Sequence, residues 1–132
     1  MIGELPNELK DAFLESIPLD ISILDKDDNV LGWNKHETRI FKRPEAVIGK
    51  NVRNCHPKKS LHKVEQILDE FKSGERDKAR FWIDLDIEGE TRKVLIEYFA
   101  LRDQNGEYMG CLEASQDITD TQNLSGEQRL LE

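Results

Sequence analysis

Residues 79–118 read ARFWIDLDIEGETRKVLIEYFALRDQNGEYMGCLEASQDI. Runs rich in β-branched and aromatic residues are parted here by Glu88-Gly89-Glu90 and by Asp103-Gln104-Asn105-Gly106. Gly, Asn and Asp supply the backbone freedom and local side-chain hydrogen bonds that chain reversals need. The pattern therefore predicts three consecutive antiparallel strands over 79–87, 92–101 and 108–118. Centring the second turn on Asn105 sets Glu97 opposite Glu113, Phe99 opposite Cys111 and Leu101 opposite Met109. Centring the first on Gly89 sets Ile83 beside Leu95 and Trp82 beside Ile96.

Strand side chains alternate between faces. One face is then expected to hold Phe81, Ile83, Leu85, Leu95, Glu97, Phe99, Leu101, Met109, Cys111, Glu113 and Ser115. The other holds Trp82, Ile96, Tyr98, Ala100, Leu112 and Ala114, with Asp84, Asp86 and Gln116. Both are substantially apolar, so each is expected to be covered.

Working upstream, Leu61, Val64, Ile67, Leu68 and Phe71 form the clearest helical stripe, with Pro57 or Ser60 to open it and Gly74 to close it. Segments 36–42 and 44–47 read as short helical turns stopped by Gly49, and 50–57 as a loop. Around Lys26-Asp27-Asp28-Asn29, the runs 19–25 and 30–34 read as a hairpin. Leu5, Leu9, Ala12, Phe13 and Ile17 recur at helical spacing, with Asn7 as a cap and Pro18 as a stop. The resulting class is α+β: a five-stranded antiparallel sheet with helices on one face, plus an N-terminal amphipathic helix. The expected organisation is a helix over 1–16, one domain over 17–120, and a linker or helix start over 121–132.

A chain of 132 residues suits one core. Its net charge of −8 argues against non-specific nucleic-acid binding and against an anionic membrane surface. No apolar run approaches the roughly 18 residues of a membrane span. Met1-Ile2-Gly3-Glu4-Leu5-Pro6 has neither the basic start nor the apolar stretch of a secretory signal, so a cytoplasmic location is expected. Two cysteines, Cys55 and Cys111, do not suggest a disulfide framework.

The order of elements, together with local motifs, resembles the PAS family over residues 17–120. Ile23-Leu24-Asp25 followed by 30–34 is similar to the family's opening hairpin, with its asparagine, Asn34, after the second strand. Arg43-Pro44-Glu45-Ala46-Val47-Ile48-Gly49-Lys50 is similar to its short-helix segment, and Asp117-Ile118-Thr119-Asp120 to its closing motif. Asn54-Cys55-His56-Pro57-Lys58-Lys59-Ser60, Phe81-Trp82-Ile83 and Gly126-Glu127-Gln128-Arg129-Leu130-Leu131 resemble PAS modules that follow hemerythrin-like domains in bacterial and archaeal proteins. Lys58 stands where that group has a second proline. The resemblance implies a concave sheet face that the central helices cover around any ligand. It also implies a closing motif that hands over to a linker.

On that footing the first face is assigned inward, and the ligand-binding candidates are His56, His62, Cys55, Phe81, Glu97, Phe99, Cys111 and Glu113. Like charges opposite one another destabilise a sheet. An inward Glu97–Glu113 pair would share a proton, hold a cation or accept from a polar ligand. Alternatively the pair lies on an open edge, or Arg80 or Arg92 neutralises it. His56 and His62 lie where haem-binding PAS modules place their iron ligand, and imidazole and thiolate are both axial ligands, so haem is a candidate cofactor. His62 falls on the polar side of its helix with Glu65, Gln66 and Asp69, which favours a solvated role; His56 could instead stabilise the loop before Pro57. The Cys55 segment departs from the reactive-cysteine motif of flavin photoreceptors both in its spacing from Gly49 and in the residues that follow.

The outward face, with Phe13, Trp82, Ile96, Tyr98 and Leu112, is the candidate homodimer interface. His36, His56 and His62 show no metal-ligand spacing, and no catalytic triad, phosphate loop or HExxH motif is present, so neither a metal nor catalysis is expected. Two readings remain. In one, a sensory module binds a small ligand and signals to a neighbouring domain or partner through the linker. In the other, a ligand-free module serves dimerisation.

Overall fold

The computed structural model describes residues 1–131; Glu132, the end of the expected linker, lies outside the described residues. The apolar alternation of 79–118 builds β3 (Lys78–Ile87), β4 (Glu90–Arg102) and β5 (Tyr108–Asp117). The upstream hairpin supplies β1 (Asp20–Asp25) and β2 (Val30–Trp33). All pairs are antiparallel, in the order β2-β1-β5-β4-β3. Asp20 pairs with Ser115, so the chain enters β1 and leaves β5 at the same end of the sheet.

Two helices complete the α+β fold, α1 (Asn7–Ser16) and α2 (Lys58–Ser73). The stripe of α2 buries Val64, Leu68 and Phe71 on one face of the sheet, against Ala79, Val94, Ile96, Tyr98 and Cys111. Pro57 opens α2 and Gly74 closes it in a left-handed conformation, φ 84°, which glycine adopts without a Cβ clash. Asn34 ties α1 to the sheet: its Oδ1 accepts from Ile21 N at 2.7 Å and its Nδ2 donates to the Leu14 carbonyl at 2.6 Å.

Two of the buried charged side chains, Asp28 and Arg39, tie loops to this architecture. Asp28, 2% exposed in the β1–β2 turn, accepts at Oδ2 from Lys72 Nζ (2.7 Å) and Arg53 Nη1 (2.9 Å), joining the hairpin to α2. Arg39, 6% exposed, donates to the carbonyls of Ile21, Asn34 and Phe41 and to Ser22 Oγ. Those bonds hold 36–42 as an irregular strap with a turn at 36–38, where the sequence pattern suggested a helical turn. A single 3-10 turn does form at Glu45–Val47, and a further one, unexpected, at Val52–Asn54.

Other local expectations are corrected. Asn7 is the first helical residue of α1 and makes no cap; Pro6 holds that position. The stripe of α1 is not buried: Leu9 and Phe13 are about half exposed. After β5, where a linker or helix start was expected, the chain makes one 3-10 turn, Thr121–Asn123, and Leu124, Leu130 and Leu131 are exposed.

The register differs from the symmetric construction by one residue at both β4 boundaries. Glu88 and Gly89 both have positive φ and form a two-residue turn, so Ile87 pairs with Glu90 and Phe81 with Ile96. At the other turn Arg102 pairs with Tyr108 as centring on Asn105 requires, but Met109 is then bulged out and Leu101 pairs with Gly110. Each slip displaces β4 against a neighbour, so β3 and, beyond the bulge, β5 keep their expected faces while β4 is inverted; Met109, expected inward, is 58% exposed at the bulge. Ile96 (6% exposed) and Tyr98 (5%) face the helices, which removes them from the outer interface. Glu97 and Phe99 face outward, opposite Ala114 and Leu112, which removes them from the inner site.

Candidate functional site

Between α2, the 40–47 strap and the inner face of β3–β5 lies a cleft of about 1330 Å³. Its walls are mainly apolar: Ile40, Phe41 and Val47 on the strap, Val64 and Ile67 on α2, and Phe81, Leu85 and Ile96 on the sheet. Phe81 meets Tyr98 edge-on, with centroids 5.6 Å apart, which fixes both rings on the cleft floor. The cleft reaches the β3 edge, where Trp82, Asp86 and Glu88 join the lining.

One polar cluster interrupts these walls. Arg43 Nη2 donates to Glu113 Oε2 at 3.2 Å, and the two side chains are only 13% and 14% exposed. Among the described residues this is the only hydrogen bond of either side chain, so most of the guanidinium donors and Oε1 are unused. Tyr98 pairs across the ladder with Glu113, and its hydroxyl has no partner among the described residues. Burial, reinforced by the Glu113 carboxylate, pushes the Tyr98 phenol far above its usual range, so it remains a donor. Burial lowers His56 below its usual 6.5; Glu113 opposes this and Arg43 adds to it, so the imidazole is neutral at pH 7.

Of the sequence candidates, Cys55, His56, Phe81 and Glu113 line the cleft. Cys111 lies on the inner face but in the packed core, 2% exposed, its thiol pushed up to about 12 by burial. His62 is on the exposed side of α2 and does not line the cleft. Arg80, one of the two expected partners of the glutamates, approaches Glu97 on the outer face at 3.8 Å; Glu113 is held by Arg43 instead. Sequence reasoning missed Arg43 and misplaced Tyr98. The available signal for Arg43 was indirect, namely an inward carboxylate at 113 that requires a countercharge. Among the described residues no three His, Cys, Asp or Glu gather as a metal site, and no described helix is long and apolar enough to cross a membrane.

The candidate interface residues Trp82 and Leu112 lie on the outer face, with Trp82 63% exposed. At the end of β5, Asp117 accepts from Arg92 Nε at 2.7 Å and, at Oδ1, from Thr119 N and Oγ1. The Arg92 bond, more than any other contact, brings the Asp117 carboxyl down to about 2. Thr119 Oγ1 in turn accepts from Lys93 N at 2.8 Å, so the departing chain is lashed to β4.

Comparison with known proteins places these features in context. A sequence model of the PAS domain matches residues 11–119. No curated protein matches the chain. Among solved structures, a C-terminal domain from Streptococcus mutans is 34% identical with a TM-score of 0.85, over 95% of this chain and 94% of that one. The PAS domain of Bordetella pertussis BvgS is 23% identical, with a TM-score of 0.63 over 86% of each chain. Vibrio cholerae VqmA, in a structure bound to DPO, is 20% identical, with a TM-score of 0.62 over 88% of this chain and 59% of that one.

Proposed function

The chain belongs to the PAS domain family, and from that premise we propose that it is a sensory module whose cleft takes a small ligand and whose β5 exit relays occupancy. The carrying observation is an apolar cleft of about 1330 Å³ with one half-satisfied polar cluster, Arg43–Glu113, beside Tyr98. Apolar walls with a few convergent polar groups are the usual make-up of a small-molecule site. VqmA, which shares the fold, has been solved with DPO bound, and that supports a ligand-bearing role.

Glu113 and Asp117 are on the same strand and face, four residues or roughly 13 Å apart. An occupant that moves Glu113 therefore acts on the strand that carries the Asp117–Arg92 bond. Signalling follows only if the occupant binds two arrangements of that strand unequally. The hemerythrin-linked subgroup is the finer family assignment we propose, on the 54–60 and 126–131 motifs, with a neighbouring domain as recipient.

The test is native mass spectrometry with an ultraviolet-visible spectrum of the same sample, followed by hydrogen exchange on loading. An extra mass released on denaturation, with altered protection at 117–123 when it is restored, supports the reading. A Soret band on adding hemin that is lost in His56→Ala would identify the occupant as haem.

A second reading has its own observation: Leu9, Phe13, Trp82 and Met109 are all about half exposed or more. A ligand-free homodimer, disrupted by Trp82→Arg and unaffected by cleft variants, would favour an interaction module.

A further inference from the structure

The chemistry of the occupant can be narrowed from the cleft's polar cluster; this inference rests on the small-ligand role proposed above. A guanidinium has five N–H donors and a carboxylate two oxygens, yet Arg43 and Glu113 spend one of each on their mutual bond. None of the unused atoms is sealed from solvent, and both residues line the cleft. A largely desolvated ion pair is costly until its remaining donors and acceptors are satisfied. The pair thus presents a free acceptor and free donors side by side.

Charge decides what can meet them. Arg43 and Glu113 cancel, and at the rim Lys42 and Lys63 stand against Asp86 and Glu88. His56 adds no charge at neutral pH. An anion seated on Arg43 would compete with Glu113 and leave that carboxylate uncompensated in a chain of net charge −8. The first turn of α2 also borders the cleft at Pro57 and Ser60. Helix N-termini favour anions, which makes a carboxylate the sharpest competitor.

We propose that the cleft takes a small neutral molecule with a flat apolar body and one amide-like edge, an N–H beside a C=O. The N–H donates to Glu113 Oε1, the C=O accepts from Arg43 or the Tyr98 hydroxyl, and the body lies against Phe41 and Phe81.

The experiment is an amide-resolved NMR titration of the full chain with four probes: 2-pyridone, N-methyl-2-pyridone, benzoate and toluene. The expected result is that 2-pyridone shifts the amides of Arg43, Tyr98 and Glu113 and binds at least tenfold more tightly than the other three. Glu113→Gln, which frees Arg43 of its countercharge, reverses the order in favour of benzoate; should that variant fail to fold, the wild-type ranking decides alone. Benzoate binding more tightly than 2-pyridone to the wild type overturns the proposal. Equal binding of N-methyl-2-pyridone or toluene at the same amides also overturns it, while leaving the small-ligand role standing. Probes that shift no cleft amide at all overturn both.

Discussion

The Arg43–Glu113 pair gives the sharpest quantitative prediction. Removing one partner of a fully buried ion pair costs about 3–5 kcal/mol, because the other charge is left without compensation. Exposed pairs contribute only about 0.2–1 kcal/mol. Here the side chains are 13% and 14% exposed, and the pair rests on one hydrogen bond beside an open cleft through which a freed charge regains water. A coupling energy of about 2 kcal/mol lies between those limits. The measurement is a double-mutant cycle with Arg43→Met, Glu113→Gln and the double variant, each unfolded in urea with the slope checked for constancy. By thermal unfolding the same coupling amounts to about 8 °C of non-additivity, at roughly 4 °C per kcal/mol for a domain of this size. Glu97→Gln is the control: Glu97 faces outward, 3.8 Å from an Arg80 that is 63% exposed. It should cost less than about 0.5 kcal/mol. A coupling below about 0.5 kcal/mol, or a larger effect at Glu97 than at Glu113, would refute both the desolvation argument and the register.

Three further outcomes are expected. Asp117 titrates at about 2 when folded, below the 3.8 of the free carboxyl, so the stability it adds is present above about pH 4 and lost as pH falls towards 2. The stability gap between wild type and Asp117→Asn should accordingly close over that window and shrink with added salt; a gap that is constant with pH would contradict it. Native protein at pH 8 should take one thiol label, at Cys55, and denatured protein two, because Cys111 is buried and stays protonated; labelling of Cys111 at the unfolded rate would show that the core is open. A Cβ on Gly110 would stand 2.2 Å from the Leu24 carbonyl oxygen. Gly110→Ala must therefore move backbone, and should cost about 2–3 kcal/mol in urea unfolding; an unaltered midpoint would mean that β1 and β5 are less closely apposed.

The elements that organise the domain were legible because they repeat a period. The stripe Val64, Leu68, Phe71 with Gly74 behind it fixes α2, and the alternation of 79–118 fixes β3–β5. The faces of β4 were not legible, since they depend on two local choices that alternation cannot encode. One is the two-residue turn at Glu88-Gly89, where Glu88 occupies a left-handed position that Asn or Gly fills more often. The other is the bulge at Met109, whose side chain points into solvent and leaves no mark on the hydrophobic pattern. The cleft was legible in its loop and its aromatic wall, Cys55, His56 and Phe81, but not in its charge. Arg43 lies on an irregular strap, and only the folded path of that strap brings it to Glu113. Arg39 escaped notice as well: three of its partners are main-chain carbonyls, which a sequence does not display.

The pairing of Asp20 with Ser115 has a mechanical consequence. Chain segments leaving α1 and the 119–123 turn pull on adjacent antiparallel strands from the same end. Tension applied there loads the β1–β5 hydrogen bonds one after another, as a zipper is opened, instead of shearing them together. The seam that yields first is then central, parting β2-β1 from β5-β4-β3 and separating Leu24 and Ser22 from Cys111 and Glu113. A modest pull between flanking segments would strip the cleft's carboxylate of its neighbouring strand well before the β3–β4–β5 block comes apart, so the domain is strong across the sheet wall of the cleft and weak along the β1–β5 seam.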